Sequence, residues 1–307
     1  MLNIKQCILL AFAIGMFFAA DAVHGAPRAD RRPSRRNAAA REQAQRAELV
    51  MKSLAQAYPQ RITKVEYRRG DWALLLQDTW FYFAEGRLLP EEIRGNASEY
   101  SPIIFYHYPR DLPPWTEPTP EQVERFSGGG GPRPARPPRA TYFFDALYQA
   151  GSREEAQELM QTIDFFGSQL TIHSAIAEIV QAVEGLILTA AGEDAEIQAW
   201  IDGIGSVYGW TWRNIPNTQS RSYHSYGVAI DILPESLEGK EMYWLWAGSG
   251  WWDISYEGRY HQPDAVIAAF ESFGFVWGGK WLMFDTMHFE YRPEVFIING
   301  LELSTLQ

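Results

Sequence analysis

Ser222-Tyr-His-Ser-Tyr-Gly-Val-Ala-Ile-Asp231 sets a histidine and an aspartate on either side of a short run of small and apolar residues. The run Gly227-Val-Ala-Ile has the composition of a buried strand, and its glycine permits a tight turn or a close backbone approach. A second stretch near the C-terminus, Trp277-Gly-Gly-Lys-Trp-Leu-Met-Phe-Asp-Thr-Met-His-Phe-Glu290, carries His288 between Asp285 and Glu290. Together the two stretches hold two of the chain's six histidines, each close to carboxylates.

A catalytic zinc site needs three protein ligands, drawn from His nitrogen and carboxylate oxygen, and one open position. His224, Asp231 and His288 meet that need if the strand-like segments around Val228 and His288 lie side by side. Asp285, three residues before His288, is the candidate general base, able to take a proton from water and pass it to a leaving amine. Glu290 alternates with His288, so it either orients that ligand or faces the cleft. Arg213 and Arg221 are the cations available to stabilise an oxyanion or bind a substrate carboxylate. The competing reading is a chance gathering of histidines and aspartates on solvated loops, since the chain has neither an H-E-x-x-H helix nor a cysteine-rich zinc pattern.

The residues around these positions extend the reading. S-x-H-x-x-G-x-A-x-D, followed by W-G-G-x-W and F-x-D-x-x-H-F-E, resembles the D-alanyl-D-alanine carboxypeptidase family. That family groups VanY-type carboxypeptidases with L-alanyl-D-glutamate endopeptidases. The resemblance covers residues 208–293, about a quarter of the chain. It implies zinc ligands at His224, Asp231 and His288 and a catalytic base at Asp285. It further implies a substrate-contacting serine at Ser222 and a functional arginine upstream of the first histidine, for which Arg213 is the better match and Arg221 the alternative. The implied fold is α+β, an antiparallel sheet carrying the zinc with helices packed on it. The implied substrates are peptidoglycan stem peptides, cut either at a terminal D-Ala or between L-Ala and D-Glu. One departure is the aromatic insertion Tyr243-Trp-Leu-Trp-Ala-Gly-Ser-Gly-Trp-Trp252, which is as well suited to a core as to a cleft wall.

The rest of the chain sets the context. Its 307 residues suggest two domains, and 46% hydrophobic with 14% aromatic content is ample for a core. A net charge of −11 argues against a nucleic-acid partner. Residues 1–22 read as a secretory signal: Lys5, an apolar run to Ala20, then an Ala20-Asp-Ala22 cleavage site, with a retained anchor as the other reading. The expected location is therefore exported, in the periplasm or cell envelope. Cys7 is the only cysteine, so the mature chain would have neither disulfide nor thiol chemistry.

An arginine-rich arm occupies residues 23–48. It is either a solvated linker that becomes helical near Ala38 or an electrostatic tether to anionic envelope surfaces. A small β-containing module is expected over 49–118, preceded by a helix that presents Leu49, Val50, Leu54 and Tyr58. The module's aromatics suit a core, and sugar stacking is the alternative. A Gly/Pro-rich linker spans 119–140, opening with a short helix capped by Thr119. The peptidase domain is expected over 141–307. There the spacing predicts helices from Ser152 to about Ile163, from Ser168 to Ala191, from Asp194 to Ile204 and from Pro263 to Ser272. His173 and His261 fall outside the metal pattern. Two other classes remain open beside the hydrolase: an exported peptidoglycan-binding protein that uses the peptidase fold for attachment, and a scaffolding protein.

Overall fold

The computed structural model describes residues 35–127 and 136–304. The signal-like segment, the arm as far as residue 34 and the linker's residues 128–135 lie outside the described residues.

Helix α1 (Arg35–Ala57) leads into a meander of four antiparallel strands, β1 (Ile62–Arg68), β2 (Asp71–Leu76), β3 (Thr79–Tyr82) and β4 (Leu89–Pro90). Ala47, Val50, Met51 and Leu54, with Tyr58 just past the helix end, recur every three or four residues. They bury one face against Leu74, Leu76 and Phe81. Leu49 falls off that stripe and is exposed, contrary to the expectation from spacing. Phe81, Tyr82 and Phe83 are buried, Trp72 and Trp80 are half-buried with Trp80 beneath the Arg68 guanidinium at 4.0 Å, and Tyr67 of β1 is exposed.

The short helix α2 (Pro120–Phe126) has the expected start, a reciprocal capping box between Thr119 and Gln122. Helices α3 (Tyr142–Tyr148) and α4 (Arg153–Glu158) follow, the latter opened by the Ser152–Glu155 capping box. Here the structure corrects two helical expectations. The helix predicted to run to Ile163 ends at Glu158, and the one predicted from Ser168 begins only at Ser174. Between them lies a hairpin, β5 (Met160–Phe165) and β6 (Ser168–His173). Ile163 and Phe165 on one strand and Leu170 and Ile172 on the other are buried at a period of two. The turn is Phe166-Gly167, both at positive φ (49° and 75°), as a two-residue hairpin with a primed turn requires.

After α5 (Ser174–Ala191) and α6 (Ala195–Asp202), strand β7 (Ile204–Tyr208) starts a second antiparallel sheet. It is completed by β8 (Ala229–Pro234), β9 (Phe275–Trp277) and β10 (His288–Tyr291) in the order β7-β8-β10-β9. Helix α7 (Asp264–Ser272) precedes β9, and α8 (Pro293–Ile298) follows β10. Alternation along the strands sends Ile230, Ile232 and Phe289 into the core, where Phe289 stacks on Phe270 of α7 at 4.0 Å. Residues of the opposite parity, Asp231, His288 and Glu290, share the other face. The architecture is α+β, with a sheet that has helices on one side and a polar cluster on the other. One continuous core runs from Ala47 of α1 to Phe289 of β10, so the N-terminal helix and meander pack directly on the remainder.

Candidate metal centre

Asp231 and His288 are direct cross-strand partners on β8 and β10, so their side chains rise together from one face. His224 joins them from a single 3-10 turn, Tyr223–Tyr226, placed before β8. Ser222 caps that turn with its hydroxyl accepting from the His224 amide, and Gly227 ends it at φ 68°. A side chain at Gly227 would strike Met160 and the backbone of His173. The loop before the turn clamps it: Ser225 Oγ accepts from the Arg213 amide and donates to the Arg213 carbonyl, and Trp210 Nε1 donates to the Ser225 carbonyl.

The three side chains converge tightly. His288 Nδ1 lies 2.8 Å from Asp231 Oδ1, His224 Nε2 lies 3.1 Å from Asp231 Oδ2, and the two ring nitrogens are 3.3 Å apart. Outer partners fix which nitrogen of each ring carries a proton. His224 Nδ1 is 2.6 Å from the Gly209 carbonyl, which only accepts, so this nitrogen donates. His288 Nε2 is 3.4 Å from Glu290 Oε2, whose carboxylate also takes a hydrogen bond from Arg292. In the neutral rings the protons therefore point outward, and the lone pairs of His224 Nε2 and His288 Nδ1 meet those of Asp231.

Three acceptors facing one another in a buried site repel unless a cation sits among them. Ligand atoms about 2.0–2.2 Å from a tetrahedral ion stand roughly 3.3 Å from one another. The observed spacing fits such an ion. The same field acts on protons. Burial works against the Asp231 carboxylate, yet hydrogen bonds and charge from His224 and His288 hold its pKa well below the usual range. Burial likewise opposes charge on His288, but Asp231 and Glu290 outweigh it and raise that pKa. A proton and a metal ion compete for the same lone pair.

Asp285 stands beside the triad at a β-bridge to Tyr243 of the aromatic insertion. Its Oδ1 is buried and has no hydrogen-bond partner among the described residues. Burial pushes its pKa up to about 7; the charges of His288 and Arg213 oppose that shift, and those of Asp231 and Glu290 add to it. Arg213 is exposed and its charge reaches both Asp285 and Tyr243.

The structure separates the two arginines. Arg221 is tied into the fold away from the triad: it pairs with Asp145 of α3 at 2.5 Å, donates to the Ala150 carbonyl at 3.1 Å and covers Trp212 at 4.4 Å. Glu290 is buried behind His288. His173 caps α5, accepting from the Ala175 amide, and His261 packs on Trp277; neither joins the triad.

The Gly209 carbonyl carries no side-chain signal in the sequence. Tyr243 opens the aromatic insertion that suits a core as well as a cleft wall, and Trp281, whose ring lies 5.5 Å from His288, closes the W-G-G-x-W motif.

Residues 216–291, which contain the triad and Asp285, match a family model described as D-alanyl-D-alanine carboxypeptidase. The resemblance drawn from the motifs holds over that segment. The chain is also similar to the peptidoglycan L-alanyl-D-glutamate endopeptidase CwlK of Bacillus subtilis (strain 168), at 37% identity over 76 residues. The match covers 24% of this chain and 40% of that relative, so the chain spans well under half of the relative's length. Residues 50–105 match a family described as a domain of unknown function (DUF8518). No solved structure matches the chain.

Proposed function

We propose that this chain is a zinc-dependent peptidase that hydrolyses peptidoglycan stem peptides. The observation that carries the proposal is the convergence of two imidazoles, His224 and His288, each with its N–H turned outward, on the Asp231 carboxylate, inside the segment similar to D-alanyl-D-alanine carboxypeptidases. These three residues would hold the ion. A zinc ion bound there supplies Lewis acidity, the means of activating water against a peptide carbonyl.

The chain's own residues do the rest. Asp285 accepts the proton of the attacking water at its free, buried oxygen and returns it to the leaving amine. A carboxyl whose pKa stands near neutrality is shifted downward by a neighbouring divalent cation, which keeps it ready as a base. Arg213 offers its exposed guanidinium to negative charge, either on the developing oxyanion or on a carboxylate of the substrate. Glu290 and the Gly209 carbonyl keep each imidazole in the tautomer that points a lone pair inward. Ser222 holds the His224 turn, where its hydroxyl is engaged by backbone.

Two bonds suit this chemistry: the terminal D-Ala linkage named in the family description, and the L-Ala–D-Glu bond named in the relative's title. Action on peptidoglycan calls for export, which the signal-like residues 1–22 would provide, and the arginine-rich arm would then meet anionic envelope surfaces. Mass spectrometry of defined muropeptides incubated with the mature chain tests the proposal, with chelator and with zinc restored. Loss of a terminal D-Ala identifies a carboxypeptidase, and release of the stem after L-Ala identifies an endopeptidase, both only with metal. Intact muropeptides from a folded, zinc-loaded protein would instead favour a binding protein.

A further inference from the structure

A chain of buried ionic and hydroxyl groups runs from the metal centre to the N-terminal helix. Behind His288, Glu290 Oε1 accepts from Arg292 at 3.1 Å, and Arg292 Nε donates to Glu294 Oε1. The other oxygen of Glu294 accepts from the Tyr58 hydroxyl at 2.9 Å, just past the end of α1 and 236 residues away in sequence. Arg292 also donates to the Ile104 carbonyl at 3.4 Å and lies over the ring of Tyr223, the neighbour of His224, at 4.9 Å. Arg292 and Glu294 are almost wholly buried, at 2% and 0% exposure.

Buried ion pairs are weak contributors to stability, because desolvation offsets most of their attraction. An arginine sunk between two glutamates therefore calls for another reason. Its geometry supplies one: Arg292 holds the carboxylate that holds the His288 ring.

We propose that the N-terminal module braces the metal centre, with Tyr58 and the Ile104 carbonyl fixing Glu294 and Arg292, which in turn fix Glu290 and the orientation of His288. A parallel contact supports the idea. The Tyr106 hydroxyl, one residue past the 50–105 match, accepts from Trp281 Nε1 at 2.9 Å, and the Trp281 ring lies against His288. Tyr58 and Ile104 both fall within residues 50–105, so this assigns a role to that segment: a positioning part of the peptidase site. The inference rests on the reading of His288 as a metal ligand.

Zinc affinity of the full mature chain, measured by competition with a chromophoric chelator, is the test, because it reads the site whether or not the chain cuts peptidoglycan. Glu294→Gln and Arg292→Lys should each weaken zinc binding about 10–100-fold, the usual effect of losing a group that orients a ligand. Tyr58→Phe, a conservative change that decides the matter if the others fail to fold, should weaken it about 3–10-fold, the worth of one hydrogen bond. Leu74→Ala, a cavity in the same module with no link to the brace, should lower the melting temperature and leave zinc affinity unchanged. Folded Tyr58→Phe and Glu294→Gln proteins that bind zinc like the parent would overturn the brace, as would an equal loss in Leu74→Ala. A parent chain that binds no zinc would overturn the metal reading itself.

Discussion

The molecule contains two four-stranded antiparallel sheets that treat their carboxylates in opposite ways. In the β1–β4 meander Asp71 faces donors: its two oxygens accept from the amides of Trp72 and Ala84, each at 2.8 Å. In the β7-β8-β10-β9 sheet Asp231 faces two imidazoles whose protons are drawn outward by Gly209 and Glu290. The first arrangement is complete as it stands, and the second needs a further positive charge, either a proton on His288 or a metal ion. Both sheets have four antiparallel strands; what sets these two carboxylates apart is the direction of a few protons.

Breaking the second arrangement should have the largest effect. Removing metal with a chelator should abolish hydrolysis, and zinc should restore it in the parent chain but not in His224→Ala, as followed by product formation. Next, Asp285→Asn should keep zinc and lower kcat about 10²–10⁴-fold, the range for a general base.

The same substitution should stabilise the metal-free protein, and the sign follows from the raised pKa. A carboxyl shifted from about 4 to about 7 contributes stability that is fully present below pH 4 and lost as pH rises through 7. The loss is on the order of 4 kcal/mol at about 1.36 kcal/mol per pH unit. Denaturant unfolding of metal-free protein should therefore show Asp285→Asn more stable than the parent at pH 8, with no such gain at pH 4.

The arginines sharpen the contrast further. Arg213→Ala should reduce kcat/KM about 10²-fold with stability little changed, if it meets the oxyanion. Arg221→Ala should act mainly on stability, since it leaves Asp145 half-buried without its cation. Smallest of all, Asp71→Ala in the meander should cost about 1–3 kcal/mol, through two amides left unpaired, and leave zinc affinity untouched.

Much of this site was legible because its determinants are local. His224, Asp231 and the glycine between them sit within a few residues of one another, and His288 lies in its own strand-like run. The N-cap at Thr119 and the capping box at Ser152 are legible too, being signals of two to four residues. What escaped depended on distance or on backbone. The Met160–His173 hairpin has clean alternation at Ile163, Phe165, Leu170 and Ile172, but a helix start before it and a long helix after it hid the period. Arg221 lay next to the ligand turn in sequence, and only its contact with Asp145, 76 residues away, shows where it is engaged. The Tyr58–Glu294 bond joins residues near opposite ends of the chain. No spacing rule connects them.

The most direct measurement is a zinc titration of the chain against a chromophoric chelator, with Asp231→Ala beside it. If outward-turned protons leave three lone pairs that require a cation, the parent takes up one zinc per chain and the variant loses that site. A folded parent that takes up no zinc, or a variant that binds it equally well, would contradict the account.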